Sequence, residues 1–145
     1  MRNFTEREQV VETVNRLFYY TDFQQWEKLI KEVFAEEVIL DMTSLGAPAI
    51  ETLTGKQICE MWKEGFKELD AIHHQSGNYI IDIEGDIASV KAYAIASHYK
   101  KNATKGTTRE FIGSYDFRLV KFKNNWKIDR FTFNLKYMTG NTELN

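Results

Sequence analysis

Apolar residues recur with helical spacing in three segments of the first half of the chain. The first segment predicts a helix over about residues 6–20, which begins at a capping box formed by Thr5 and Glu8. A second, shorter helix is predicted to follow it, and a third to begin at Thr54–Gly55. The apolar positions of the three helices are, in order, Val10, Val11, Val14, Leu17 and Phe18; Trp26, Leu29, Ile30 and Val33; and Ile58, Met61, Trp62, Phe66 and Leu69.

From His73 onward the apolar positions alternate with polar ones, which is the period of β-strands. Long strands joined by short turns predict an antiparallel meander, and one earlier strand is predicted over Phe34–Met42, before a loop over residues 43–54. The strands of the meander are predicted over residues 73–84, 87–100, 107–122 and 126–138. We therefore predict an α+β fold in which three N-terminal helices pack on a strongly curved, mainly antiparallel sheet and enclose a cone-shaped pocket.

The two faces of the strand over residues 87–100 differ in character. One face carries a row of alanines, and small side chains leave space in front of a sheet. The opposite face carries an apolar stripe that is large for a surface in contact with water. We predict that the alanine row faces the pocket and that the chain forms a homodimer through the outer face of the sheet. The first face consists of Ala92, Ala94, Ala96 and His98, and the second includes Tyr93, Ile95 and Tyr99.

Composition narrows the classes of function. The 145 residues are 43% hydrophobic and contain one proline, so one domain over residues 1–145 is expected. A formal net charge of −2 argues against nucleic-acid binding, and no apolar run reaches the ~18 residues of a membrane span. The polar N-terminus does not resemble a signal peptide. Cys59 has no disulfide partner, which fits a reducing compartment, and we predict a cytoplasmic protein.

Asp22 is the first candidate for chemistry, because it stands among aromatic residues, between Tyr20 and Trp26. Burial penalises a carboxylate unless a partner offsets the cost. Asp22 could cap the second helix, where aspartate is favoured, or it could orient a histidine inside the pocket. In the second case, the histidine that Asp22 orients should have a raised pKa, unless burial outweighs the pairing.

The chain has three histidines, and two of them are candidates for the pocket. His98 ends the alanine row. His73 and His74 are adjacent in a predicted strand, so their side chains point to opposite faces. His74 shares its face with Ser76 and Asn78, a polar row that suits a wet pocket, whereas a bulge would exchange the two faces.

Other groups of residues give weaker indications of a functional site. Asp22, His74 and His98 also have the composition of a two-histidine, one-carboxylate metal site, but no spacing motif supports it, so no metal is predicted. The chain lacks a nucleophile elbow, a phosphate-binding glycine loop and a CxxC motif. A group of basic residues is predicted to form a solvated hairpin tip. It consists of Lys100, Lys101, Lys105 and Arg109.

Several short segments stand in a distinctive order and spacing along the chain. They are Asp22–Trp26, Val33–Val38, His73–His74, Glu84–Ala88, Gly113–Tyr115 and Asn125–Phe131. Together they resemble the NTF2-like superfamily, and most closely its SnoaL-like and scytalone dehydratase-like branch. The resemblance extends from about Glu6 to Lys136, which is nearly the whole chain.

The resemblance implies that Asp22 pairs with His98 on a central strand and that His74 is the second catalytic histidine. It implies a departure as well, because Thr21 and Met42 stand where scytalone dehydratase has two tyrosines that hold a catalytic water. The same substrate is therefore not expected. The residues expected to contact a ligand are Phe18, Tyr19, Trp26, Met42, Trp62, Tyr115 and Phe133.

The expected function is acid–base chemistry on a small apolar or aromatic molecule that contains a carbonyl group. One histidine removes a proton from carbon, a carboxylate orients that histidine, and the other histidine or a tyrosine protonates an oxygen. Dehydration, double-bond isomerisation and cyclisation like that of polyketide cyclases all fit, without a cofactor. The alternative is a non-catalytic ligand-binding or interaction module of the same fold.

Overall fold

In the computed structural model, which describes residues 3–145, helix α1 (Glu6–Asp22) begins at the predicted capping box. The Thr5 hydroxyl accepts a hydrogen bond from the Glu8 N–H, and the Glu8 carboxylate accepts one from the Thr5 N–H at 2.7 Å. Helix α2 (Trp26–Lys28) continues into one π-helical turn, and helix α3 (Gly55–Gly65) begins at a second capping box. All three predicted helices are therefore present.

Within residues 3–145, six strands form one mixed sheet that does not close on itself, with the order β2-β1-β6-β5-β4-β3. Strands β3 to β6 are the predicted antiparallel meander. Strand β1 pairs parallel with β6, and the short β2, which was predicted as loop, pairs antiparallel with β1. The α+β fold is thus confirmed. The strands are β1 (Phe34–Asp41), β2 (Glu51–Thr54), β3 (Ala71–Glu84), β4 (Ile87–Tyr99), β5 (Thr108–Phe122) and β6 (Asn125–Gly140).

Bulges bend the long strands around the interior. The pairing of β5 with β6 shifts register next to Gly113 and again at Arg118–Leu119. At Gly113 a β-carbon would collide with the Asn134 carbonyl oxygen and would lie 2.8 Å from the Phe133 ring, so only glycine fits there. A bulge increases local twist and bends its strand, and the curved sheet leaves an interior between itself and the helices.

A bulge in β3 decides which histidine points inward. The pairing of β3 with β4 shifts register between Gly77 and Ile80, where Asn78 has a left-handed φ of 58°. Before the bulge, His74 faces the interior and His73 is exposed. After the bulge, Tyr79 and the isoleucines of its parity pack against the core. The row of side chains that contains His74 therefore faces the interior before the bulge, and the row that contains Tyr79 faces it after the bulge.

The alternation predicted for β4 is present. Ala92, Ala94, Ala96 and His98 are buried, whereas Tyr93 is 52% exposed on the other face. Helix α1 packs against β3 and β6, and α3 packs against β1 and β2. No helix within residues 3–145 is long and apolar enough to cross a membrane.

Candidate functional site

A cavity of about 180 Å³ lies between the helices and the concave face of the sheet. Its walls are mainly aromatic and aliphatic, and the lining side chains with a nitrogen or oxygen atom are those of Thr21, Trp62, His74, His98 and Tyr115. None of the residues that line it is a carboxylate, a lysine or an arginine. The lining residues are Leu17, Phe18, Thr21, Met42, Leu45, Trp62, Phe66, His74, Ala96, His98, Phe111, Tyr115, Phe131 and Phe133.

Asp22 and His74 form a buried pair at the side of this cavity. Asp22 Oδ1 lies 2.6 Å from His74 Nδ1, and Asp22 Oδ2 accepts the backbone N–H of His74 at 2.8 Å. The two side chains are only 11% and 10% exposed. Because a carboxylate oxygen is an acceptor, the imidazole carries a hydrogen on Nδ1, and in its neutral form Nε2 is left free to accept a proton.

The surroundings hold this pair in one geometry. Asp22 is the last residue of α1, where the helix dipole disfavours a carboxylate, so its hydrogen bonds to His74 offset that cost. The Phe18 ring stacks on the His74 ring with centroids 5.3 Å apart. No side chain caps α2, whose N-cap residue is Gln25. Asp22 therefore orients a histidine and is not a helix cap.

The partner of Asp22 is His74, so the expected pairing with His98 is wrong. Strand β3 is the sheet edge that packs against α1, which places His74 next to the end of that helix. His98 lies one strand further into the sheet and pairs with Ile72, two residues before His74. The sequence indicated both histidines as candidates, but it did not indicate which strand packs against α1.

His98 sits in a different environment at the other side of the cavity. It is 8% exposed, and its ring lies between Phe66 and Phe111, with centroid distances of 5.6 and 5.1 Å. Its Nδ1 accepts a hydrogen bond from Arg109 Nε at 3.1 Å. Burial, then the Arg109 and His74 charges, lowers the pKa of His98 to about 3. A raised pKa was expected only for a histidine bonded to Asp22, and within residues 3–145 His98 is bonded to Arg109 and to no carboxylate.

Tyr115 closes the aromatic floor of the cavity. It is 4% exposed and packs against Phe18, Phe117, Phe131 and Phe133, with ring centroids 4.8 to 5.4 Å away. Burial, with a smaller contribution from the Asp22 carboxylate, raises the pKa of Tyr115. Its hydroxyl therefore stays neutral and can donate a hydrogen bond.

The remaining predicted residues divide into two groups. Phe18, Met42, Trp62 and Phe133 line the cavity. Tyr19 and Trp26 do not line it, so the prediction that they would is wrong. Tyr19 is 60% exposed and its ring packs on Phe23, because it lies on the outer side of α1. Trp26 packs at the margin of the core from α2.

Arg109 is a further residue that the sequence interpretation placed wrongly. It was expected in a solvated hairpin tip, but it is half-buried and bonded to His98. A signal was present, since Arg109 shares the strand parity of Phe111 and Tyr115, which face inward. Within residues 3–145 no group of three histidine, cysteine or acidic residues is arranged to hold a metal ion.

The sequence matches the SnoaL-like domain family over residues 2–132, and the chain belongs to that family. The fold is NTF2-like, as in solved structures that carry this name. No curated protein matches the chain. Family membership defines the class of protein but does not determine the reaction, which depends on the residues of the site.

Solved structures of low sequence identity share the fold over most of the chain. The Kfla4162 protein of Kribbella flavida is 20% identical with a TM-score of 0.90, and the match covers 96% of this chain and 95% of that one. A candidate scytalone dehydratase of Novosphingobium aromaticivorans is 18% identical (TM-score 0.79, coverage 92% and 86%). The hexachlorocyclohexane dehydrochlorinase LinA-type3 of Novosphingobium barchaimii is 11% identical (TM-score 0.75, coverage 92% and 88%).

Proposed function

We propose that the protein is a small-molecule lyase or isomerase in which Asp22 and His74 act as a general base. The observation that carries this proposal is the 2.6 Å contact between Asp22 Oδ1 and His74 Nδ1 beside an apolar cavity. His74 Nε2 accepts a proton from carbon, and the carboxylate stabilises the imidazolium that forms. A base of this kind contributes typically about 10²–10⁴-fold to a rate.

The chemistry of the cavity wall points to a substrate with a carbonyl group. Removal of a proton from a carbon next to a carbonyl leaves the C–H electron pair in an enolate, whose oxygen needs a hydrogen-bond donor. His98 and Tyr115 are lining residues that can donate. The enolate then either expels a β-hydroxyl group, which takes the proton from the His74 imidazolium and leaves as water, or takes that proton back at another carbon.

The size and polarity of the cavity limit the substrate further. An apolar cavity of about 150 Å³ in another protein holds one benzene molecule, and the cavity here measures about 180 Å³. A molecule with one ring fits that space. Because none of the described residues that line the cavity is a carboxylate, a lysine or an arginine, the proposed substrate is neutral, apolar or aromatic, with few polar atoms.

Elimination is the variant that the structural neighbours support. One is named a candidate dehydratase and another a dehydrochlorinase, and both names describe the loss of a small molecule from a substrate. Proton abstraction by a buried histidine is a step that either reaction can use. Among the acid–base reactions that the site could perform, we therefore propose dehydration first and isomerisation or cyclisation second.

A non-catalytic ligand-binding module is the second candidate, and two residues favour it. The Thr21 hydroxyl is already donated to the Leu17 carbonyl at 2.6 Å, and Met42 offers no hydrogen bond of comparable strength. These positions therefore do not reproduce the water-holding tyrosine pair of scytalone dehydratase. A binding protein would take up the same apolar ligands without exchanging their protons.

Proton exchange in deuterated water tests the proposal without knowledge of the natural substrate. We expect the protein to incorporate deuterium next to the carbonyl of at least one member of a panel of one-ring ketones and β-hydroxyketones. The variant His74→Gln should lose this activity, and His73→Gln, which changes the exposed neighbour, should keep it. Binding of panel compounds with exchange at the background rate would favour the second candidate.

We also propose a homodimer through the outer face of the sheet. Tyr93, Ile95 and Tyr99 on β4 are 52%, 43% and 40% exposed, and together they form an apolar stripe. Sedimentation should give twice the 17.0 kDa protomer mass at micromolar concentration, and Ile95→Lys should give the protomer. Phe122→Lys, at an exposed position in the β5–β6 hairpin, is the control. A wild-type monomer would contradict the proposal.

A further inference from the structure

We propose that Arg109 is a positioning residue that fixes His98 in the tautomer with its hydrogen on Nε2, so that His98 donates a hydrogen bond to the substrate's carbonyl oxygen. This inference rests on the proposed function and adds which residue donates a hydrogen bond to the carbonyl oxygen of the substrate. The observation behind it is a hydrogen bond between Arg109 Nε and His98 Nδ1, which are 3.1 Å apart.

The chemistry of the guanidinium group decides the direction of this hydrogen bond. A guanidinium has N–H donors, no acceptor, and keeps its charge in proteins. His98 Nδ1 must therefore accept, and an imidazole nitrogen that accepts carries no hydrogen. In neutral His98 the hydrogen lies on Nε2.

Arg109 is itself held in place from two sides. Its Nη1 donates to the Thr142 carbonyl at 3.2 Å, and its guanidinium lies 5.4 Å from the centroid of the Phe111 ring. Arg109 and His98 are also directly opposite each other in the β4–β5 pairing. The contact is thus built into the register of two central strands, which gives the arginine little freedom to leave it.

Burial and, after it, the charged groups around His98 keep this ring neutral. The titratable groups that act on it are Arg109 from β5 and His74 from β3, and both oppose a positive charge on the ring. The other rings against it are those of Phe66 and Phe111, which give an imidazolium no hydrogen bond. Glu143 acts on Arg109 and not on His98. A proton added at Nδ1 would also break the bond with Arg109.

Two histidines with opposite tautomers therefore meet at one cavity. Asp22 leaves His74 Nε2 as a proton acceptor, and Arg109 leaves His98 Nε2 as a donor. An acceptor and a donor are what enolate formation needs, the first for the proton on carbon and the second for the carbonyl oxygen. His98 would act through a neutral hydrogen bond, as an electrophile that does not transfer its own proton.

Nitrogen-15 NMR of the histidine rings tests this inference on the whole protein without a substrate. In the wild-type protein we expect an unprotonated Nδ1 and a protonated Nε2 on His98 from about pH 5 to about pH 8, with no titration in that range. Arg109→Gln replaces the obligate donor by an amide that can also accept. This variant should show a mixture of both tautomers and a titration of His98 at higher pH.

Arg118→Gln is the matched control, because Arg118 is also on β5 but binds the Asp129 carboxylate at 2.9 Å, away from the cavity. It should leave the His98 spectrum unchanged. A wild-type His98 with its hydrogen on Nδ1, or a His98 spectrum unchanged by Arg109→Gln, would overturn the inference. If Arg109→Gln does not fold, the wild-type tautomer alone decides.

The effect on the reaction is a second readout that separates this inference from the proposed function. Arg109→Gln should slow deuterium exchange about tenfold with little change in KM, which is less than the roughly 10²–10³-fold cost of removing such a donor outright. Exchange that survives His74→Gln would refute the proposed function and leave the tautomer result standing. The wrong tautomer together with exchange that depends on His74 would refute this inference alone.

Discussion

The two histidines at the cavity are held in the same way by opposite partners. Each ring is almost buried, each is bound at Nδ1, and each has aromatic neighbours. The partner of His74 is an acceptor carboxylate and the partner of His98 is a donor guanidinium. Because an imidazole has two nitrogens and one hydrogen in its neutral form, the partner at Nδ1 decides what Nε2 can do.

The comparison also shows that the position of a histidine in the sequence pattern is a weak guide to its role. Both residues lie on long strands, face the same cavity and come from adjacent strands of the sheet. What separates them is one hydrogen-bond partner each, 52 residues away for His74 and 11 residues away for His98.

Replacing Asp22 should have the largest effect. Asp22→Asn nearly keeps the shape and removes the charge that stabilises the imidazolium, so we expect deuterium exchange to fall by roughly 10²–10⁴-fold, the usual contribution of a general base. Ligand affinity should stay nearly the same, because Asp22 does not line the cavity. Asp82→Asn, at an exposed position of the same β3 strand as His74, is the control. Equal exchange by both variants would contradict the assignment.

Lowering the pH should reduce the contribution of His98 to the free energy of unfolding. The pKa of His98 is lowered to about 3 in the folded protein, so as pH falls the unfolded chain binds the proton first. Stability from this residue is therefore present above the unfolded pKa of about 6.5 and is lost as pH falls toward the folded value. The loss between about pH 6.5 and about pH 5 should be about 2 kcal/mol.

Urea unfolding of His98→Gln at several pH values measures this contribution. The variant cannot titrate at position 98, so its stability should fall less steeply with acid than that of the wild type. His73→Gln should keep the wild-type slope, because His73 is exposed. Parallel slopes for the wild type and His98→Gln would show that His98 is not held neutral.

The smallest expected effects come from the aromatic neighbours of the two rings. Phe18→Leu removes the ring that stacks on His74 and contacts Tyr115, and Phe111→Leu removes a ring beside His98. We expect each to cost about 1–1.5 kcal/mol in urea unfolding, as conservative core substitutions do. In the NMR spectra, Phe18→Leu should shift the His74 signals and Phe111→Leu those of His98. The reverse pattern would contradict the described packing.

Much of the architecture could be predicted from the sequence, because it depends on neighbours a few residues apart. The capping box of Thr5 and Glu8 determines where α1 begins. The alternation along β4 determines that the alanine row and His98 are buried. The order of short segments was enough to indicate the family, and the match over residues 2–132 confirms it.

Other features became visible only in the tertiary structure. The short strand β2 had no clear local signal, because Leu53 is the only apolar residue of Glu51–Thr54, which follows the loop that contains Pro48. The parallel pairing of β1 with β6 had none either, because it joins strands that lie far apart in the sequence. The faces of His73 and His74 depended on a bulge at Asn78. A bulge adds one residue to one strand of a pair, and a pattern of alternating residues does not reveal it until the partner strand is known.

The sequence by itself determined which residues could carry chemistry, Asp22, His74 and His98, since few other titratable groups stood beside apolar positions. Only the tertiary structure decided the pairs, Asp22 with His74 and Arg109 with His98. The physical reason is that a hydrogen bond requires donor and acceptor within about 3 Å, and that distance is set by strand order and register. Both are properties of the whole sheet and not of the residues that meet in it.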